Sequence, residues 1–316
     1  MKKAAYIDIG TNSVRMMVLE KDAITCMDAT KHMITTRIGR GVDQTRMLSE
    51  EAMKDTLEAL KTFNELAKEE GAEETYLIGT SALRDGKNSS VFTEKVKEEI
   101  GLNIQIISGD EEARLGFLGV FKGLSSHINS DDYILVVDIG GGSTELIVGK
   151  NGEIEYAVSL DIGAVRLSDK FVTTDPVALT EQQDIADYIR QEIKDALVHI
   201  ESFDIKAVIG IGGTISTVGS MALEMTTYNR ERIHNYYVPL DRIYNINKTL
   251  LNQKIEQRKE MAGLQPKRAD IIPYGLMILH QVLLKLEIGG ISISEYDNLE
   301  GLHFDLMANK TENFKA

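Results

Sequence analysis

Two short segments of the chain combine an aspartate with a turn of small residues that carry hydrogen-bond donors. Glycine lets backbone N–H groups approach a phosphate closely, and serine and threonine add hydroxyl donors. An aspartate immediately before such a turn holds Mg²⁺ directly or through water, because hard cations prefer oxygen ligands. The pattern therefore predicts two phosphate-binding turns, each with an adjacent metal ligand. They are Asp8 with Gly10, Thr11, Asn12 and Ser13, and Asp138 with Gly140, Gly141, Gly142 and Ser143.

The two turns belong to an internal repeat that aligns without gaps at an offset of 130 residues. In each copy one apolar strand leads into the turn and a second leads out of it, which predicts a β-hairpin. Glu145 lies across the second hairpin from Asp138 and is expected to share its metal ion. An ordinary hairpin whose aspartate satisfies local N–H groups is the alternative. A second, superimposable copy argues against that alternative.

A third glycine-rich turn and an arginine follow two further predicted strands. Gly212, Gly213 and Thr214 open a helix, and the free N–H groups at a helix N-terminus attract an anion. Taken alone this is a weak signal, because glycine is common where a strand ends. Arg84 follows the other strand, and its guanidinium is suited to bind phosphate oxygens. A solvated surface arginine is the alternative for Arg84.

Three acidic residues, Asp110, Glu111 and Glu112, lie in the first turn of the helix that follows Ser108. Acids at this position complement the helix dipole, which is sufficient to explain them. The functional interpretation is that one of the three acts as a general base for water.

The spacing of apolar residues predicts two similar α/β domains whose glycine-rich turns face each other across one cleft. The first domain is 1–124 with a C-terminal helix at about 299–316, and the second is 125–298. Ser49 and Thr180 are the expected N-caps of the long helices, and Gly71 follows the end of the first. The predicted elements are helices Ser49–Glu70, Asp110–Lys122, Thr180–Glu201, Asp241–Asn252, Lys267–Glu287 and Leu299–Met307, and a strand at Ile291–Ile293.

Composition limits the classes of partner and the compartment. The formal net charge of −14 argues against binding to nucleic acid or to an anionic membrane. Cys26 is the only cysteine, so an intramolecular disulfide is excluded. The chain shows neither a signal peptide nor an apolar run long enough to span a membrane, which predicts a cytoplasmic protein.

Together these motifs resemble the exopolyphosphatase/guanosine pentaphosphate phosphohydrolase family, within the sugar kinase–Hsp70–actin superfamily. The resemblance covers nearly the whole chain. It implies duplicated actin-like ATPase (ribonuclease H-like) domains, a homodimer, and Mg²⁺ as cofactor with Mn²⁺ as the alternative. The motifs that carry it are the two turns, residues 80–84, 108–115 and 160–167, the turn at 212–214, and residues 268–272.

The resemblance also assigns roles to individual positions. Glu112 matches the catalytic glutamate that deprotonates the attacking water, and Arg84 matches a phosphate-binding position and is assigned to the catalytic residues. Asp138 and Glu145 match metal-associated acids, and Asp8 is the corresponding acid of the first copy. Arg268 is expected to contact phosphate together with the three glycine-rich turns.

The chain departs from the family pattern at two positions. Leu299 stands where the family has an arginine, so a contact expected there is in doubt. Asn235 follows His234 where the family has a glycine, and His234 is interpreted either as a site residue or as a structural histidine.

The predicted reaction is attack of water on a terminal phosphorus, with inorganic polyphosphate as the substrate. Guanosine pentaphosphate is the alternative substrate. An actin-like kinase and a non-enzymatic sensor of guanosine tetraphosphate are alternatives from other functional classes. A long polyphosphate chain also needs a basic lining, for which the candidates are Arg37, Arg40, Arg230, Arg232, Lys267 and Arg268.

Overall fold

The computed structural model of the chain describes residues 2–309. These residues form two compact units. The first unit holds the described residues up to Gly119 and those from Tyr296 onward, and the second is Val120–Glu295. Among the described residues, no helix has both the length and the apolar character needed to cross a membrane. The part of the predicted C-terminal helix beyond residue 309 lies outside the described residues.

The first unit is built on one five-stranded sheet. Its strands are β1 (Lys3–Ile9), β2 (Ser13–Glu20), β3 (Thr30–Thr35), β4 (Ala72–Gly79) and β5 (Gln105–Ile106). Their spatial order is β3-β2-β1-β4-β5. β1 and β2 form the predicted hairpin, in which Asp8 is opposite Arg15. β4 runs parallel to β1, so the turn after β1 lies beside the segment that follows β4.

The second unit repeats this arrangement. Its strands are β6 (Tyr133–Ile139), β7 (Thr144–Lys150), β8 (Glu153–Leu160), β9 (Ile205–Ile211), β10 (Tyr237–Pro239) and β11 (Gly290–Ile293). Their order is β10-β11-β9-β6-β7-β8. The succession β8-β7-β6-β9-β11 corresponds to β3-β2-β1-β4-β5, with the same parallel and antiparallel pairs. The predicted duplication is therefore present in the topology of the sheets.

Helices cover the sheet of each unit and bury their apolar faces against it. The buried hydrophobic side chains form one large cluster in the second unit and two in the first. Burying one leucine, isoleucine or phenylalanine side chain contributes about 1.5–3 kcal/mol. The helices are α1 (Val42–Thr45), α2 (Glu50–Glu69), α3 (Ser81–Asp85), α4 (Ser89–Ile100), α5 (Gly109–Gly123), α6 (Ala164–Phe171), α7 (Leu179–Ile200), α8 (Gly212–Ala222), α9 (Arg230–Ile233), α10 (Leu240–Asn252), α11 (Ile255–Arg258), α12 (Ile272–Lys285) and α13 (Asn298–Asn309).

The predicted ends of α2 are confirmed. Ser49 is the N-cap, and its Oγ accepts a hydrogen bond of 3.2 Å from the amide of Ala52. Gly71 follows the C-cap with φ +86°, a left-handed conformation that glycine adopts without steric cost.

Replacing Ser49 by alanine is expected to lower the free energy of unfolding by about 1 kcal/mol, because an amide at the helix N-terminus loses its acceptor. Urea unfolding followed by circular dichroism measures this loss. Ser90→Ala, in the first turn of α4, serves as a comparison. An equal loss in both variants would contradict the capping role.

Two predictions about helix ends are wrong. Thr180 lies inside α7, whose N-cap is Ala178. The side chain of Glu181 reaches back to the Ala178 amide, at 3.1 Å, and so replaces an N-cap side chain. The helix predicted at Lys267–Glu287 is broken into a 3₁₀ turn, Pro266–Arg268, and α12. Pro273 lies in the first turn of α12, where its missing N–H costs nothing and favours a helix start.

Candidate active site

The two hairpin turns have the same backbone geometry. In the first, the Gly10 amide donates to the carbonyl oxygen of Ser13 at 3.0 Å. In the second, the Gly140 amide donates to the carbonyl oxygen of Ser143, also at 3.0 Å. At both glycines a Cβ would lie 3.2 Å from that serine oxygen. The two copies of the repeat therefore fold into equivalent turns.

The carbonyl oxygens of the first turn are occupied by the loop that follows β3. The Thr11 oxygen accepts from the amide of Gly39 at 2.9 Å, and the Asn12 oxygen accepts from the amide of Arg37, also at 2.9 Å. The amides of Thr11 and Asn12 have no backbone acceptor among the described residues. This turn thus carries unused donors rather than unused acceptors, as an anion site requires.

The second turn likewise has unused hydrogen-bond donors and occupied acceptors. The Gly141 oxygen accepts from the amides of Val165 and Arg166, and the Gly142 oxygen accepts from Nε of Arg166 at 2.8 Å. The amides of Gly141 and Gly142 have no backbone acceptor in the described part of the chain. Arg166 is 7% exposed, so it supports this turn from within the fold.

Asp8 is buried beside the first turn, and only one of its two carboxylate oxygens is hydrogen-bonded. Its Oδ2 accepts from Nη2 of Arg15 at 2.5 Å. Its Oδ1 is buried and has no hydrogen-bond partner in the described structure. Burial raises the pKa of Asp8, and the charge of Arg15 opposes that rise.

Arg15 also donates to a second buried carboxylate, that of Asp297. Burial by itself would raise the pKa of Asp297. The charges of Arg15 and Lys31 and the amide of Leu299 outweigh burial, so the pKa lies below its usual value. Asp297 is therefore ionised at neutral pH.

Glu112 is the buried member of the three acids that open α5. It is 8% exposed, and its Oε2 accepts from Nη1 of Arg84 at 2.6 Å. The same Nη1 donates to the carbonyl oxygen of Ile107 at 3.1 Å, which fixes the guanidinium. Burial raises the pKa of Glu112; the charge and hydrogen bond of Arg84 oppose this, and Asp8 adds to it. The contact between Arg84 and Glu112 was not predicted from the sequence.

The other two acids of this turn are used differently. Asp110 is exposed. Both carboxylate oxygens of Glu111 accept from Arg114, at 2.8 Å each, and Arg114 also donates to Asp305 at 2.8 Å. Of the three, only Glu112 combines burial with a raised pKa, which is what a general base needs to work near neutral pH.

Replacing Arg84 by glutamine is expected to move the acidic limb of the pH–activity profile to higher pH. Arg84 lowers the pKa of Glu112, so its loss leaves burial less opposed and the pKa rises further. The pH dependence of kcat/KM measures this shift. Arg114→Gln, which removes a guanidinium from the same helix turn, should leave the limb in place. A limb that stays in place or moves down in Arg84→Gln would contradict the assignment.

The second unit presents Asp138 and Glu145 as register partners across its hairpin. Both are buried, at 8% and 1% exposure, and Oε1 of Glu145 accepts from the hydroxyl of Ser159 at 2.7 Å. Gly212 lies against Asp138, because a Cβ there would be 2.4 Å from Oδ1. Gly212 also has φ +82°, so glycine is required for both its conformation and its proximity to the carboxylate.

The structure brings Arg268 next to the third glycine-rich turn. A Cβ on Gly213 would lie 2.2 Å from Nη2 of Arg268, so the guanidinium rests on the glycine backbone. Arg268 is 9% exposed. Thr214 is buried against Gly275 of α12, where a Cβ would lie 2.6 Å from its Cγ2. These contacts place Arg268 and Gly213 side by side, whereas Thr214 packs into the core.

The two departures from the family pattern have structural explanations. Nδ1 of His234 accepts from the amide of Glu295 at 3.1 Å, which leaves Nε2 to donate to the carbonyl oxygen of Gly123 at 3.2 Å. These bonds support the structural interpretation of His234. Leu299 is 1% exposed and packs in a hydrophobic cluster with Tyr296 and Leu302. A leucine suits this apolar position.

Oxygen ligands for a divalent cation are present, although they do not form a ready-made cluster. Among the described residues, no group of three or more histidine, cysteine, aspartate or glutamate side chains is arranged to hold a metal ion. Within the first unit, the unpartnered Oδ1 of Asp8 fits a hard cation that also takes ligands from water and phosphate. Mg²⁺ satisfies this description because it keeps several non-protein ligands.

Sequence reasoning missed Arg15 and Asp297. Arg15 had a signal, since the repeat aligns it with Glu145, directly opposite the aspartate of its hairpin. Asp297 had none, because it is 289 residues from Asp8 and only the fold brings the two to the same arginine.

Comparison with known proteins decides which family shares this arrangement. The family model described as the Ppx/GppA phosphatase family matches residues 17–310. This chain belongs to the Ppx/GppA phosphatase family. The predicted resemblance is therefore confirmed, and the family name agrees with the enzyme class predicted from the sequence.

Three curated relatives of this chain carry different names. Exopolyphosphatase 2 of Mycobacterium tuberculosis is 31% identical, over 97% of this chain and 99% of its own length. Guanosine-5'-triphosphate,3'-diphosphate pyrophosphatase of Photobacterium profundum is 28% identical, over 96% of this chain and 59% of its own length. A bifunctional 3-dehydroquinate synthase/phosphatase of Fusobacterium nucleatum is 35% identical, over 97% of this chain and 47% of its own length. This chain thus spans about half the length of two of these three relatives.

Solved structures of Ppx/GppA proteins share the fold. An exopolyphosphatase from Cytophaga hutchinsonii superposes with a TM-score of 0.89 at 26% identity, over 97% of this chain and 98% of that one. The Ppx/GppA protein of Aquifex aeolicus superposes with a TM-score of 0.79 at 26% identity, over 98% and 99% of the two chains. The predicted α/β class with duplicated actin-like domains is confirmed.

Proposed function

We propose that the chain is an exopolyphosphatase, which hydrolyses the terminal phosphoanhydride of inorganic polyphosphate with water activated by Glu112. The observation that carries the proposal is the ion pair between the buried Glu112 and the half-buried Arg84, in the same unit as the first phosphate-binding turn. Membership of a phosphatase family supports the same reaction class.

Glu112 is proposed to take the proton of the attacking water. Burial raises the pKa of its carboxyl, so the ionised form is a stronger base than an exposed glutamate. Arg84 keeps the carboxylate in one position and prevents burial from protonating it fully. The oxygen of the attacking water forms a bond to the terminal phosphorus as the bridging P–O bond breaks. The shortened chain leaves with the electron pair of that broken bond.

The turns and arginines are proposed to bind the phosphate groups. The unused amides of both hairpin turns provide donors that are fixed before the substrate arrives, so no reorganisation is needed during the reaction. Arg15 and Arg84 add positive charge close to buried acids of the first unit, and Arg268 adds positive charge beside Gly213 of the second unit, which offsets the local cost of bringing in a polyanion.

Mg²⁺, with Mn²⁺ as the alternative, is proposed to be held by Asp138 and Glu145 in the second unit, and Asp8 is proposed as a separate metal ligand of the first unit. A bound metal ion would neutralise part of the negative charge of the phosphate groups. The protein contributes carboxylates held by their own hairpins, together with the glycine at position 212 that leaves room beside Asp138.

Inorganic polyphosphate is proposed over guanosine pentaphosphate as the substrate. Two of the relatives that match over nearly their whole length, from Mycobacterium tuberculosis and Cytophaga hutchinsonii, are named exopolyphosphatases. The second candidate is guanosine pentaphosphate 5'-phosphohydrolase, which the Photobacterium profundum relative favours.

Phosphate release with Mg²⁺ from tripolyphosphate, long polyphosphate, guanosine pentaphosphate and ATP tests the proposal. We expect release from polyphosphate at least about tenfold faster, in kcat/KM, than from guanosine pentaphosphate or ATP. Faster release from guanosine pentaphosphate would establish the second candidate instead. Absence of release from all four would overturn both. Transfer of the ATP γ-phosphate to an acceptor, rather than to water, would indicate a kinase.

The cytoplasmic location, the homodimer, the guanosine tetraphosphate sensor and the basic lining for a long chain stay predictions.

A further inference from the structure

Arg15 lies between two buried carboxylates that come from distant parts of the chain. Nη2 donates to Asp8, which is on the neighbouring strand of the same hairpin. Nη1 donates to Asp297, which immediately precedes α13. The Arg15 side chain is 24% exposed, whereas the two carboxylates are 4% and 9% exposed. The guanidinium is thus fixed at both Nη atoms while part of it stays accessible.

Asp297 is itself fixed by its surroundings. Its Oδ1 accepts from the amide of Leu299 at 3.1 Å, and its own amide donates to Oε2 of Glu300 at 3.0 Å. Glu300 is fully buried and its other oxygen binds Nζ of Lys31 at 2.6 Å. These contacts leave the carboxylate of Asp297 a single well-defined position.

The helix α5 also limits the position of Asp297. A Cβ on Gly119 would lie 2.3 Å from the carbonyl oxygen of Asp297, and a Cβ on Gly301 would lie 1.9 Å from the carbonyl oxygen of Leu115. The start of α13 therefore approaches the helix that carries Glu112 at backbone contact distance. Asp297 is held against the same helix that provides the proposed general base.

We propose that Asp297 is a positioning residue, which holds Arg15 beside the first turn so that its guanidinium meets a phosphate of the substrate. This inference rests on the proposed function. With Asp8 alone, Arg15 would have one fixed Nη atom and would lose conformational entropy each time it bound phosphate. Asp297 fixes the second Nη atom in advance, so the group is already oriented when the reaction begins.

Steady-state kinetics on tripolyphosphate tests the role of Asp297. We expect Asp297→Asn to lower kcat at least about tenfold and to change KM less than about threefold, because orientation is lost and the other phosphate ligands remain. Asp297→Glu should recover part of kcat. The control is Asp305→Asn, on the helix α13 that begins directly after Asp297, which also loses a buried carboxylate paired with an arginine, Arg114. Asp305→Asn should keep wild-type kcat.

A double-mutant cycle separates positioning from a general structural role. In an Arg15→Gln background, Asp297→Asn should cause little further loss of kcat, because the residue on which it acts is gone. Equal losses in the two backgrounds would overturn the proposal, as would an Asp297→Asn variant with wild-type kcat.

A measurement without turnover keeps this inference apart from the proposed function. In ¹⁵N NMR of arginine side chains, slow rotation of the Arg15 guanidinium gives resolved Nη signals, identified by their absence in Arg15→Lys. We expect Asp297→Asn to merge these signals and Asp305→Asn to preserve them. Unchanged signals in Asp297→Asn would overturn the inference, even in an active enzyme. Merged signals in Asp297→Asn, together with a wild-type protein that shows resolved signals but releases no phosphate, would contradict the proposed function alone.

Discussion

Replacing Glu112 by glutamine is expected to lower kcat for phosphate release from polyphosphate by about 10²–10⁴-fold. Glutamine keeps the size of the side chain and can still accept a hydrogen bond from Arg84, but it cannot accept a proton from water. Release of phosphate under saturating substrate measures the loss.

Glu111→Gln is the matched control for this substitution. It removes a carboxylate from the adjacent position in the same helix turn, where the side chain pairs with Arg114. This variant should remain within about threefold of the wild-type kcat. Equal losses in the two variants would assign the effect to the helix rather than to the chemistry of Glu112.

Glu112→Gln is also expected to stabilise the protein at pH values above the ordinary pKa of glutamate. Burial raises the pKa of Glu112 above its reference value of 4.5, so ionisation costs folding free energy. This cost is absent below about pH 4 and is complete once the pH exceeds the raised pKa. Thermal unfolding should therefore show a higher Tm for Glu112→Gln at about pH 8 and nearly equal Tm values at about pH 4. A lower Tm in the variant at about pH 8 would contradict the raised pKa.

Replacing Gly212 by alanine is expected to lower kcat at least about tenfold, because the added methyl group displaces the carboxylate of Asp138, which is proposed to bind Mg²⁺. Its Cβ would lie 2.4 Å from Oδ1 of Asp138, well inside van der Waals contact. The left-handed φ of +82° adds a cost of about 1–2 kcal/mol to the free energy of unfolding. Activity against Mg²⁺ concentration should show a higher half-saturating concentration for the variant.

Gly101→Ala separates backbone strain from the loss of the carboxylate position. Gly101 has a similar φ, +74°, and a Cβ there would meet nothing within 4 Å. Both variants should lose the stability that the left-handed conformation costs, whereas only Gly212→Ala should lose activity. A Gly212→Ala enzyme with wild-type kcat and Mg²⁺ dependence would contradict the role given to Asp138.

The parts of the fold that sequence predicted well are those set by local patterns. The hairpin repeat, the cap at Ser49 and the glycine at 71 follow from apolar alternation, side-chain oxygens and backbone freedom. The errors arose where a neighbouring residue determined where a helix begins. Glu181 capped α7 in place of Thr180, and Pro273 started a new helix within a continuous apolar pattern.

Residues of the candidate site could be predicted from the sequence more readily than the contacts between them. Glu112 and Arg84 were both identified, but residue types alone cannot show that one donates to the other. Asp297 lies beyond any local signal, because only the packing of α13 within the first unit brings it to Arg15. Long-range ion pairs of this kind depend on the tertiary fold, so no characteristic spacing of residues in the sequence indicates them.

Hydrolysis of long polyphosphate in ¹⁸O-labelled water tests the central claim most directly. Mass spectrometry of the released phosphate should find one ¹⁸O atom per phosphate and none in the shortened chain. Glu112→Gln should show almost no release over the same time. Release of phosphate without ¹⁸O, or the absence of release by a folded wild-type protein, would contradict the account.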